Sequence, residues 1–166
     1  MEPNLIVHYG SAGYLYTKNE IHNILTKLGD QKEEQELLTP GIIGVQTKLP
    51  ARKAVEEARE LYLTDPDRII ATTMWIPADN WTDTNLDAIK RTIREDIRDF
   101  LTQDDTYTIE ITEHNSPVAS EDVIRTITPL LNGKLDYERP KKRLIIELFE
   151  KKTMITLALQ KDVFVR

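Results

Sequence analysis

The feature that most restricts the fold is an alternation of short apolar runs with amphipathic stretches through the first 80 residues. NLIVHY (4–9) is β-branched and aromatic, as a strand requires. Thr17 and Glu20 then stand at the T-x-x-E spacing of a capping box, which predicts a helix start there. Ile21, Ile24, Leu25 and Leu28 recur at helical spacing until Gly29 can close the helix. QELLTPGIIGVQTKL (35–49) reads as two short strands about a Pro40-Gly41 turn. After Pro50, ARKAVEEARELYL (51–63) sets Ala54, Val55, Ala58, Leu61 and Tyr62 on one helical face and stops before Pro66. IIATTMWI (69–76) is again strand-like. The order βαββαβ predicts a ferredoxin-like unit, an antiparallel sheet with two helices on one face.

PADNWTDT (77–84) reads as a polar connector, too short for a free linker, so a second module at 81–166 is expected to pack on a first at 1–80. That module opens with NLDAIKRTIREDIRDFL (85–101), in which Leu86, Ile89, Ile93, Ile97 and Phe100 form an apolar stripe beside Arg91, Arg94 and Arg98. A strand TYTIEIT (106–112), a helix from about Ser120 to Leu131 ended by Asn132-Gly133, and strands RLIIELF (143–149) and MITLAL (154–159) follow, with a last short strand around VFVR. The fold class is therefore α+β.

Composition narrows the chemistry. The chain has no cysteine, which removes disulfides, thiolate nucleophiles and sulfur-ligated zinc and fits a cytoplasmic protein. No basic leader and no run near 20 apolar residues is present, so neither secretion nor a membrane partner is expected. The net charge of -6 opposes generic polyanion binding, yet from Lys134 to Arg166 nine basic residues face five acidic ones.

A serine hydrolase would need a base, an orienting group and a strained G-x-S-x-G turn, whereas Ser116 lacks flanking glycines and precedes Pro117. His8, His22 and His114 make no recognisable metal spacing, and Gly10 and Gly13 lack the lysine and third glycine of phosphate loops. No catalytic residue, metal or cofactor is expected.

EHNSPVASEDVI (113–124) has a geometry suited to anions. A strand end, an Asn-Ser-Pro turn and a helix start near Ser120 would present free backbone N–H groups and the positive end of a helix dipole, with Ser120 also capping the helix. His114, Asn115, Ser116 and Ser120 are candidate contacts. The run RPKKR (139–143) places Lys141, Lys142 and Arg143 just before an apolar strand as a second candidate. Convergence of the two into one phosphate-binding cradle is the expectation.

In the second half, YTIEITEHNSPVASEDVI (107–124) and KLDYERPKKRLIIEL (134–148) carry S-x-x-x-S before a helix and L-D-Y-x-x-P before an apolar strand. In that order they resemble the THUMP domain, an RNA-binding module of tRNA thiolation, methylation, pseudouridylation and acetylation proteins. NLIVHYGSAGYLYTKNEIHNILTKLGD and TPGIIGVQTKL resemble the ferredoxin-like domain that precedes it in stand-alone adaptors of tRNA acetylation. The resemblance implies a non-enzymatic protein that holds the acceptor end of tRNA for a separate tRNA-modifying enzyme, a cytidine acetyltransferase foremost. The 166 residues leave no room for a methyltransferase domain of about 150.

By position, Ser116, Ser120, Asp136 and Pro140 fall on family-like places, the last two shaping the strand entry, and His114 is a candidate for stacking on an unpaired base. Glu113 and His114 stand where family members often carry basic residues, and Lys141 where an acidic one often follows the proline. The rival expectation is a protein-interaction module that has lost RNA binding and docks a basic partner through its acidic first half.

Overall fold

A computed structural model describes residues 2–166 as two units, one running to Ala78 and joined by Lys161–Arg166, the other spanning Asp79–Gln160. The first unit contains β1 (Leu5–Tyr9), α1 (Tyr14–Lys27), β2 (Glu34–Thr39), β3 (Ile42–Gln46), α2 (Ala51–Thr64) and β4 (Thr72–Pro77). All its strand pairs are antiparallel, and β10 (Phe164–Val165) adds a fifth strand beside β4, giving the order β10-β4-β1-β3-β2. The two units divide between Ala78 and Asp79, and the last residues of the chain belong to the first unit. Arg59 donates to the carbonyls of Lys161 and Val163, and Phe164 packs with Tyr62 and Trp75, which explains the return.

Leu5, Val7, Ile43, Val45 and Trp75 alternate onto one sheet face and meet Ile21, Ile24 and Leu25 of α1 and Ala54, Val55 and Ala58 of α2, all buried. This is the expected ferredoxin-like layer. The helix start differs, because α1 begins at Tyr14 after Gly13 and Thr17 lies inside it, bonded back to the Gly13 carbonyl at 2.7 Å. Glu20 makes no capping box. Its buried carboxylate accepts the backbone N–H groups of Ile70, Ala71 and Thr72 at 2.7, 2.9 and 2.8 Å, three successive donors where the chain enters β4.

The second unit contains β5 (Asn80–Asp83), α3 (Leu86–Thr92), β6 (Thr106–Glu113), α4 (Ser120–Ile127), β7 (Lys134–Leu135), β8 (Lys142–Leu148) and β9 (Lys152–Leu159), with sheet order β5-β9-β8-β6-β7. The polar connector of the sequence is in part β5, an edge strand pairing Asn80–Asp83 with β9. At an edge one face stays wet, so polar composition is no bar to strand structure.

Asn85 caps α3 by accepting the Ala88 N–H at 2.8 Å. A π-turn over Ile93–Ile97 then adds a residue to the helical cycle, so Leu101, and not Phe100, follows Ile97 into the core. Phe100 is 68% exposed. Gly133 takes a left-handed φ of 86°, and a Cβ there would lie 2.6 Å from the Asp105 carbonyl, so glycine is required for the chain to turn into β7.

Candidate nucleic-acid interface

β6 and β8 run parallel, in the register Tyr107↔Lys142 through Glu113↔Leu148. That one relationship decides how the predicted site residues are distributed. The loop from His114 to Ser120 follows the end of β6, beside Leu148, whereas Lys141, Lys142 and Arg143 stand at the start of β8. Six residue steps at about 3.3 Å separate the two groups by roughly 20 Å along the sheet. The single cradle expected from the sequence does not form.

At the strand-end side, the His114 N–H donates to the Leu148 carbonyl at 2.7 Å. The His114 ring stacks on Phe149 with centroids 5.0 Å apart, and its Nε2 meets Oε2 of the buried Glu147 carboxylate. Phe149 in turn stacks against Trp81. His114 is thus engaged by the protein on one face and at one ring nitrogen, with a side chain only 16% exposed. Asn115 is exposed and left-handed at φ 58°, which swings the chain away from the sheet. Ser116 closes a local turn, its Oγ donating to the Val118 carbonyl at 2.7 Å and accepting the Val118 N–H at 3.0 Å.

Ser120 is the first residue of α4 and does not cap it. Ala119 is the N-cap, without a side-chain bond, and the Ser120 hydroxyl donates to Glu113 at 2.9 Å. The first-turn amides therefore lack a side-chain acceptor. Glu121 and Asp122 in that turn offset part of the dipole's attraction for an anion.

At the strand-start side the cations are committed to carboxylates. Lys142 Nζ bonds Asp105 at 2.9 Å and the Phe100 carbonyl at 2.6 Å, and Lys141 Nζ lies 3.3 Å from Asp105. Asp105 also accepts the Thr102 N–H at 2.9 Å, and this bond, followed by the two lysines, holds its carboxyl well below the ordinary carboxylate range. Arg143 forms a two-point pair with Glu110. Asp136 shapes the strand entry by accepting the N–H groups of Glu138 and Arg139, both at 3.0 Å.

Two cations that the sequence did not single out share the end occupied by Asn115. The β8–β9 hairpin puts Lys151 and Lys152 there, because Leu148 pairs with Thr153 as well as with Glu113. Both lysines are exposed. Lys152 bonds Asp83 at 2.7 Å in a solvent-exposed pair, and such pairs exchange partners at little cost. The signal was the parallel register, which no residue spacing encodes.

Among the described residues no group of three or more His, Cys, Asp and Glu side chains is arranged to hold a metal ion, and no helix is long and apolar enough to cross a membrane. Residues 83–158, from the end of β5 to the end of β9, match the model of one family. That family is the THUMP domain. No curated protein matches the chain.

Solved structures share the fold. PH1313 from Pyrococcus horikoshii Ot3 aligns with a TM-score of 0.64 at 16% identity, covering 93% of this chain and 53% of that one. TrmN from Thermus thermophilus gives 0.63 at 13% identity, covering 92% and 44%. A 4-thiouridine synthetase, solved as an RNA complex with bound ATP, gives 0.56 at 10% identity, covering 93% and 40%. The chain spans about half the length of these structures or less, so the likeness is one of fold, and the activities of the larger proteins are not transferred with it.

Proposed function

We propose that the chain is a non-catalytic tRNA-binding protein that holds the acceptor end of tRNA as an adaptor for a tRNA-modifying enzyme, a cytidine acetyltransferase being the partner the resemblance implies. The observation that carries this proposal is the THUMP match over 83–158. Similarity of fold to a synthetase solved with RNA supports it.

Within the THUMP domain we assign the RNA-facing role to the strand-end side: exposed Asn115, the Ser116 turn, the amides at the start of α4, and Lys151 and Lys152. Lys141 is the most available cation of the opposite end, its side chain 65% exposed. Lys142 and Arg143 are structural, and His114 supports the Asn115 turn in place of stacking on a base.

Titrating labelled tRNA and a 3'-trimmed copy at several salt concentrations tests this. Tighter binding of the intact tRNA, weakening steeply as salt rises, is expected, because released counterions drive phosphate contacts. Equal and vanishingly weak binding of both would count against it. The rival, a protein-interaction module without RNA affinity, draws support from the commitment of Lys142 and Arg143 to Asp105 and Glu110.

A further inference from the structure

The helix-covered face of the first unit carries a cleft of about 480 Å³ between α1, the end of α2 and the Pro66–Arg68 turn. Ile24 and Leu61 line it, and a second hollow of about 150 Å³ shares both residues and runs on past Leu28 to Glu57 and Glu60. The depression is therefore elongated along the α1–α2 seam, which suits a length of chain better than a compact ligand.

Its walls are held in place from within. Glu20, whose carboxylate fixes the backbone at Ile70, Ala71 and Thr72, stands at the cleft. Tyr16, Asn19 and Asn23 recur at spacings of three and four along one face of α1, and their side chains make no hydrogen bond with the other described residues. Leu15, Tyr16, Leu63 and Ile70, on the segments bordering the cleft, are each more than half exposed.

The charges favour one kind of occupant. Arg68 is tied to Asp65 at 3.3 Å and Lys53 to Glu57 at 2.9 Å, leaving Glu60 and Asp67 on the rim against Lys27. Unpaired carboxylates repel phosphates and attract lysine or arginine. We propose that this seam docks a basic amphipathic helix of a partner protein, whose apolar anchors at i, i+3 or i+4, and i+7 lie against Tyr16 and Leu61 while a lysine or arginine meets Glu60 and Asp67. The site deepens the adaptor proposal and rests on it only for the partner being an RNA-modifying enzyme.

The test places the photo-crosslinker p-benzoylphenylalanine at Asn23 in the full chain, expressed in its own cells, with Lys32 as a control position. The expected result is a cross-link from position 23, absent from position 32, to a segment of one other protein with helical apolar spacing and an excess of Lys and Arg. That segment, made as a synthetic peptide, should bind the wild-type chain and lose at least tenfold in affinity to the double variant Glu60→Lys, Asp67→Lys, whose tRNA affinity stays unchanged. Cross-links to RNA, to a second copy of this chain, or at equal yield from both positions would overturn the proposal, as would peptide binding indifferent to the two charge reversals. A wild-type chain that binds the peptide but no tRNA would defeat the RNA-binding proposal and leave the docking site standing.

Discussion

The Arg143 guanidinium grips the Glu110 carboxylate through two hydrogen bonds, Nε to Oε2 at 2.8 Å and Nη2 to Oε1 at 2.7 Å. Arg143 pairs with Thr108 in the parallel register, so the side chain two residues along β6 falls within its reach. The Thr108 hydroxyl donates to the same carboxylate at 2.9 Å. Arg143 lowers the Glu110 pKa and Glu110 raises that of Arg143, as mutual stabilisation of the charged forms requires. A cation held this way serves the sheet before it serves a phosphate.

Arg143→Met is therefore expected to cost about 1 kcal/mol in urea unfolding, a low value for a charge-assisted pair because solvent reaches Glu110. Its tRNA affinity should stay within about twofold of wild type and its salt slope unchanged, because the guanidinium is engaged by Glu110, whereas a lost phosphate contact would lower the slope by about one unit. A large loss of affinity with stability unchanged would place Arg143 on the RNA instead.

Asp105 predicts an acid limit. Its folded pKa lies below the ordinary carboxylate value, chiefly through the Thr102 N–H and Lys142. A depressed carboxylate contributes stability that is complete above the unfolded pKa, about 4, and is lost as pH falls toward the folded one. Unfolding free energy measured between pH 6 and pH 2 should drop below about pH 4, and Asp105→Asn should flatten that part of the curve.

Glu20 is an anchor for three backbone donors. Glu20→Ala should destabilise by roughly 3 kcal/mol or more, the cost of leaving buried donors without an acceptor, and Glu20→Gln by less, since an amide oxygen can still accept. Denaturant midpoints of the two variants check the order.

Much of the fold was legible because apolar periodicity reports burial directly. The βαββαβ order, the strand TYTIEIT and the hairpin about Pro40-Gly41 all follow from it. What stayed hidden depends on partners distant in sequence. Glu20 fits a capping box three residues after Thr17, and only the loop some fifty residues later shows why its carboxylate turns inward. Asn80–Asp83 is polar because it forms an edge, and Phe164 joins β4 across the length of the chain. The candidate site suffered most. Spacing could nominate Ser120 and Lys141, but whether they meet depends on a parallel β6–β8 pairing with no local signature.

The π-turn in the α3 segment gives a sharp check on register. Leu101, 1% exposed, should cost about 2 to 5 kcal/mol when changed to alanine, while the exposed Phe100 should cost within about 0.5 kcal/mol. An uninterrupted α-helical stripe would reverse the two values.

The central proposal is that the THUMP-like residues 83–158 meet tRNA at the end of β6 and the β8–β9 hairpin. The most direct measurement compares tRNA affinity at one fixed salt concentration for the double variant Lys151→Glu, Lys152→Glu and for Lys141→Glu, each confirmed to be folded. The double variant is expected to lose at least tenfold in affinity and to show a shallower salt slope, with Lys141→Glu the milder change. A double variant that binds like wild type while Lys141→Glu abolishes binding would place the RNA at the opposite end of the sheet and contradict the account.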